Sequence, residues 1–250
     1  GWNQPPTYSL RQEPSESEVR LQAFMSLAYG YSGLSYWTYT GTYAPYTNAI
    51  LNSSATLSPI GLAVQDAIDE IKNIGNVTKN LTSTGVYYVT ASGESQPTGT
   101  VAWTPQTGYS INTVTVNSGS KGFVIGLFEG DDGKKYFMVV NGNHAAYTTA
   151  ADTAATVTIT FDSSVDKITR INRTTGESEE VNLTNHALSN YSLPGGTGDL
   201  FCIPVEREPI PGDANRDGVV NVGDLGILAA NYGRDLQAQS VPQAQWWGLG

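Results

Sequence analysis

From residue 81 to residue 203 the apolar side chains recur at every second position or in short unbroken runs, and no other feature narrows the possible folds so far. Alternation places successive side chains on opposite faces of a strand, so each such segment can bury one face and leave the other wet. Segments of this kind lie at 86–89, 113–116, 122–128, 135–140, 155–161, 167–171, 179–183, 186–191 and 199–203. Between them, E-G-D-D-G at 129–133 and T-T-G-E at 174–177 carry the residues that tight hairpins need. Short strands joined by such turns predict an antiparallel β-sandwich over 79–205. Only 14% of residues are charged while Gly, Ser, Thr, Asn and Tyr abound, a balance that suits sheets and turns better than a helical bundle.

Ahead of residue 81 the period is helical. Ser15 followed three residues later by Glu18 is a capping box, in which each side chain satisfies the other's backbone N–H. Val19, Ala23, Phe24, Leu27 and Ala28 then form an apolar stripe that Gly30 ends. The aromatic run G-L-S-Y-W-T-Y at 33–39 is β-prone and bounded by glycines, which predicts a buried strand. Ser58-Pro59 sets an N-cap and a first-turn proline for a second helix, whose Ile60, Val64, Ala67, Ile68, Ile71 and Ile74 share one face up to Gly75. The opening Gly-Trp-Asn-Gln reads as the tail of a strand already under way. Strand tail, helix and strand in that order predict a parallel βαβ unit over 1–78.

A different signal lies near the C-terminal end. Asp213, Asn215, Asp217, Asn221 and Asp224 stand at positions 1, 3, 5, 9 and 12 of D-A-N-R-D-G-V-V-N-V-G-D, with Gly218 at position 6. A hard divalent cation takes oxygen ligands at about 2.3–2.6 Å, and this spacing converges those side chains on one ion while the Val219 carbonyl adds another oxygen. Gly218 permits the sharp bend. Calcium is therefore the expected cofactor. Position 12 is Asp where an ordinary EF-hand has a bidentate Glu, and a helix is expected directly behind it from Leu225. Instead of a helix, the Pro-rich tether 206–211 precedes the repeat, which spans 212–234. The tail 235–250 holds no second D-x-N-x-D-G, and its Trp246-Trp247 suits either a sugar platform or the helix of a truncated second repeat.

The run G-D-A-N-R-D-G-V-V-N-V-G-D-L-G-I-L-A-A-N-Y-G resembles the repeat of a type I dockerin. That resemblance implies a calcium-dependent attachment module on a secreted, extracellular or cell-surface bacterial protein of polysaccharide degradation, with a cohesin-like partner. The segment E-V-R-L-Q-A-F-M-S-L-A-Y-G-Y-S-G-L-S-Y-W-T-Y at 18–39 resembles the seventh-to-eighth strand region that closes glycoside hydrolase TIM barrels. G-F-V-I-G-L-F, D-G-K-K-Y-F-M-V-V-N and L-P-G-G-T-G-D-L-F resemble the β-sandwich that follows such barrels. The expected fold is accordingly multidomain: a partial β/α unit from the end of a TIM barrel, an antiparallel β-sandwich, and a small calcium loop-helix.

On that resemblance an aromatic at the end of the last barrel strand floors the sugar site. Trp37 and Tyr39 are the substrate-binding candidates, with Trp2 and Gln4 facing the same mouth; core packing in a buried strand explains the two aromatics equally well. Hydrolysis needs two carboxyl groups, roughly 5–9.5 Å apart. Neither 2–4 nor 35–39 contains an acid, and Glu13, Glu16 and Glu18 suit the positive end of a helix. The catalytic pair is therefore expected outside this chain, which would supply the C-terminal part of an O-glycosyl hydrolase and be inactive alone. The alternative is a non-enzymatic extracellular protein that binds carbohydrate or anchors to a cell surface. Polysaccharide or oligosaccharide is the expected ligand in both cases.

A net charge of −10 argues against nucleic acid as partner, since phosphate binding needs clustered Lys and Arg. No apolar stretch approaches the roughly 20 residues of a membrane span. Cys202, the one cysteine, has no intramolecular disulfide partner and reads as a buried, inert thiol. His144 and His186 have no neighbouring motif with which to form a metal site or a triad, and Asp131 and Asp132 suit turn geometry.

Overall fold

The computed structural model of the chain describes residues 13–36, 38–40, 49–204, 212, 214 and 220–231. The chain divides into two units, Gly1–Val205 and Glu206–Gly250. In the first, α1 (Glu16–Ala28) starts at Ser15, whose hydroxyl accepts the Glu18 N–H while the Glu18 carboxylate accepts the Ser15 N–H at 2.8 Å. Gly30, at φ +87°, turns the chain out of the helix. The second helix, α2 (Pro59–Thr78), is capped by the Ser58 hydroxyl, which accepts the Gly61 N–H at 3.0 Å. It passes through Gly75, the expected terminus. A glycine inside a helix costs about 1 kcal/mol, which the packing of Val77 against the core offsets.

Nine strands follow among the described residues: β1 (Leu81–Val89), β2 (Ile111–Val116), β3 (Phe123–Gly130), β4 (Lys135–Asn141), β5 (Ala155–Phe161), β6 (Lys167–Ile171), β7 (Ser178–Asn182), β8 (Ala187–Leu193) and β9 (Gly198–Ile203). Their pairings are antiparallel. A six-stranded sheet in the order β1-β3-β4-β9-β6-β7 packs against a three-stranded sheet β2-β5-β8. Between them lie Phe123, Ile125, Phe137 and Phe201 from the larger sheet and Val157, Ile159 and Leu193 from the smaller. Phe137 stacks on Phe201 with centroids 5.0 Å apart. On β5, A-T-V-T-I-T-F buries every second side chain and turns its threonines outward. By contrast, β4 and β9 are buried on both faces apart from Lys135, because the helices cover the back of the larger sheet. Phe24, Leu27 and Ala28 of α1 and Ile74 of α2 pack there with Val124, Met138, Val140 and Leu200.

This arrangement overturns the expected multidomain fold with a partial β/α unit from a TIM barrel. Neither sheet contains a parallel pair of strands, and the described residues form no closed barrel. Residues 33–36 form no strand, and Tyr31, Leu34 and Tyr39 are exposed. Among the described residues a single bridge, Thr40 to Leu51, is all that joins this region in parallel fashion. The physical reason lies in partnership. A strand is stable only beside neighbours that complete its hydrogen bonds, whereas the apolar stripes of both helices find a ready surface on the back of the six-stranded sheet.

Two glycines set how closely the helix can approach. A Cβ at Gly126 would sit 2.4 Å from the Ala28 carbonyl oxygen, and one at Gly198 would meet Phe24 Cδ1 at 3.1 Å. Glycine within a strand often marks such an approach of another backbone. At the β3–β4 hairpin, Asp132 accepts the Lys134 N–H at 3.1 Å and the Tyr136 hydroxyl at 3.0 Å, while Gly133 takes φ +75°. Cys202 is buried in β9, where burial pushes its thiol pKa up. No described helix is long and apolar enough to cross a membrane. In the second unit, α3 (Val222–Asn231) starts two residues before Asp224, which lies in its first turn.

Gly126→Ala in the full chain should lower the urea midpoint by the equivalent of about 1–3 kcal/mol, since the new methyl meets a backbone carbonyl that cannot turn aside. Gly75→Ala, where a Cβ meets nothing within 4 Å, should instead stabilise by about 0.5–1 kcal/mol. Equal midpoints for the two variants would contradict the close helix seat.

Candidate functional site

The residues singled out from sequence fall in two places. Tyr39 is 64% exposed, and its carbonyl and that of Thr38 accept the N–H groups of Leu51 and Ile50. Trp2, Gln4 and Trp37 lie outside the described residues. Beside them Tyr36 is half-buried, and its hydroxyl has no hydrogen-bond partner among the described residues. Burial pushes its pKa up.

Of the calcium loop, Asp213, Asn215, Asp217 and Val219 lie outside the described residues, whereas Asn221 and Asp224 stand at the start of α3. Asp224 is 2% exposed, and its carboxylate accepts the Asn221 N–H at 2.8 Å. The Asn221 side-chain oxygen in turn accepts the Gly223 N–H at 2.7 Å. These local bonds hold the helix start in a turn typical of Asx residues. Among the described residues no three His, Cys, Asp or Glu side chains converge as a metal site.

Sequence reasoning missed a cleft in the first unit. It is open, about 270 Å3 in volume, and lies between α1 and the β1–β3 edge of the larger sheet. Leu21 and Met25 of α1 and Tyr29 at its C-terminal cap face Val86 and Val124 of the sheet, with Lys121 and His144 also lining the cleft. Glu94 stands within it as a fastened carboxylate, its side chain 8% exposed. One oxygen accepts the Tyr88 hydroxyl at 2.9 Å and the other the Ala91 N–H at 3.0 Å. Tyr88 oxygen itself accepts the Gly122 N–H at 3.0 Å. Burial, followed by the neighbouring Glu94 carboxylate, pushes the Tyr88 pKa up to about 12.

Lys121 Nζ stands 4.0 Å from Glu94 Oε1, close enough to attract but too far for a hydrogen bond. His144 Nδ1 lies 2.9 Å from the Gly142 carbonyl, which can accept a hydrogen bond from it. A second depression, about 530 Å3, adjoins the first across Glu94, Pro97 and Lys121 and is lined by Ser92, Ser95 and Ser120. These residues carry no motif. Glu94 sits in the long connection 90–110 that follows β1 and Lys121 in the short loop that precedes β3, and they meet because β1 and β3 are neighbours in the sheet.

A second group of charges lies on the far side of α1. Arg20 donates from Nε to Thr197 Oγ1 at 2.7 Å and pairs with Glu70. Arg173 Nε is 3.0 Å from the same Glu70 oxygen, at an angle that gives an ion pair without a hydrogen bond. Its other end pairs with Asp199, which also accepts the Tyr191 hydroxyl. Both carboxylates are engaged by arginines. The cluster thus fastens the fold and presents no acid and base flanking an open site.

No protein-family model, curated protein or solved structure matches the chain.

With 13C-labelled tyrosine, NMR should find Tyr88 protonated until the pH approaches about 12. Because the folded pKa lies above the ordinary phenol value of 10.0, this group's contribution to stability is complete below that value and disappears as the pH rises through about 12. Glu94→Gln should move the titration down. An unchanged midpoint would show that the carboxylate does not act on the phenol.

Proposed function

We propose that this chain serves polysaccharide breakdown outside the cell. In this reading it is the sandwich and attachment end of a secreted bacterial glycoside hydrolase-like protein, tethered to a cohesin-like partner by a calcium-binding loop-helix of dockerin type. One observation carries it: the register of oxygen donors from Asp213 to Asp224 around Gly218, closed by a helix.

The donors suit a hard cation, since every one is a carboxylate, amide or carbonyl oxygen. Asp213, Asn215, Asp217 and Asp224 would bind through side chains, Val219 through its carbonyl, and Asn221 through the ninth position, where a water often intervenes. When bound, the ion links the loop to the first turn of α3 and neutralises acidic groups that otherwise repel. Asp224 is already fastened by the Asn221 N–H, so little side-chain freedom remains to be lost there. An attachment role also suits the outer surface of α3. Val222 and Leu225, one turn apart, are 82% and 66% exposed, and such apolar side chains favour contact with a partner.

A second reading, a non-enzymatic carbohydrate-binding or surface-anchoring protein, is favoured by the engagement of Glu70 and Asp199 with arginines. Under either reading the chain by itself turns over no polysaccharide or aryl glycoside. Robust hydrolysis by the purified chain would contradict both.

Calorimetric titration of the full chain with calcium should show saturable binding that disappears in the Asp213→Ala, Asp217→Ala double variant. Calcium should also slow proteolysis of the 206–250 unit. Undiminished binding by the double variant would refute the assignment.

A further inference from the structure

We infer that the cleft between α1 and the β1–β3 edge binds a neutral oligosaccharide, with Glu94 and Lys121 as the pair that reads its hydroxyls. The inference rests on the saccharide part of the reading above and is independent of the calcium loop.

The charges select the ligand. Glu94 and Lys121 face the same space at 4.0 Å without closing on each other. An anion entering there meets the Glu94 carboxylate, and a cation meets the Lys121 ammonium. A wholly apolar guest strips water from both charges and offers no bond in exchange. A hydroxyl is at once donor and acceptor, so one placed in the gap donates to Glu94 Oε1 and accepts from Lys121 Nζ; both bonds are charge-assisted. The overall charge of −10 further disfavours an acidic sugar.

The walls select it too. A sugar ring carries C–H faces as well as hydroxyls, and Leu21, Met25, Val86 and Val124 offer those faces an apolar surface beside the charged pair. Beyond Glu94 and Lys121, the serine-lined depression continues the groove with groups suited to the next ring, which points to a chain of sugars over a single one. Glu94 is held in place by Tyr88 and Ala91 before any ligand arrives, so its ordering costs binding little.

The chain has two methionines, which makes the test direct. Met25 lines the cleft, and Met138 on β4 is fully buried and serves as an internal reference. With 13C-methyl methionine in the full chain, β-linked tetrasaccharides of glucose, xylose, mannose and galactose are titrated, beside an oligogalacturonate and an alkyl glycol. At least one neutral tetrasaccharide should shift Met25 saturably and leave Met138 still.

Lys121→Ala, a change at a half-exposed side chain, should weaken that binding by roughly tenfold, the weight of one charge-assisted bond. Glu94→Gln should weaken it similarly with Met138 unmoved, which reports an intact core. Silence of Met25 toward every neutral tetrasaccharide up to solubility, a response to the oligogalacturonate or alkyl glycol alone, or undiminished affinity in Lys121→Ala would each overturn the inference. A chain that fails the calcium titration yet shifts Met25 retains the cleft and loses the attachment role. The reverse result removes the cleft alone.

Discussion

Arg173 joins the layers of the first unit. From the turn after β6 it reaches Glu70 on α2 and Asp199 on β9; Glu70 also takes Arg20 of α1, and Asp199 takes the Tyr191 hydroxyl from β8 in the opposite sheet. A single run of charged contacts therefore passes from the helices through the larger sheet to the smaller one. Removing such charges from water costs several kcal/mol each, so their attraction adds little net stability over a well-packed apolar core. What it supplies is position. The helices cannot slide over Val124, Met138 and Val140 without parting Glu70 from Arg173 and the buried Arg20 from Thr197, and an apolar interface alone would tolerate several such shifts.

The cleft depends on that position. Leu21 follows Arg20 directly, Met25 stands one turn further along α1 and Tyr29 at its C-terminal cap, so the seat of Arg20 sets where the apolar wall stands. The opposite wall comes from β1, β3 and the loops holding Glu94 and Lys121. Since β1 pairs antiparallel with β3 from Leu81 to Val89, the register of one pair of strands decides which loop residues face the helix. Sequence positions far apart thus converge through the pairing of strands and the docking of one helix. No local property of Glu94 or Lys121 foretells their meeting.

What could be read from sequence follows the range of the physics involved. Strands β1 to β9 lie where alternation places them, because burying one face of a strand leaves its mark residue by residue. The helix starts at Ser15 and Ser58 are equally local, each a hydroxyl satisfying a backbone N–H a few positions on. Residues 33–36 misled because aromatic, β-prone composition describes a willingness to pair, and pairing needs a neighbour that the described residues supply in this region only at Thr40 and Leu51. The destination of the two helices was likewise hidden, since an apolar stripe fits the back of an antiparallel sheet as readily as a barrel. Gly126 and Gly198 were the available hints, two glycines in strands otherwise filled with large side chains. Arg20, Glu70, Arg173 and Asp199 gave no warning, each looking like an ordinary surface charge until the fold enclosed it.

The contact of Gly126 with Ala28 also carries an evolutionary consequence. Where a missing side chain on a strand admits the carbonyl of a small residue on a helix, drift at either site is coupled to drift at the other. Descendants of this architecture should therefore keep both residues small or change them together, with the helix lifted from the sheet. Such lineages would have a wider groove along α1, so one atom's worth of space at the centre of a strand would govern how bulky a guest the neighbouring surface can admit.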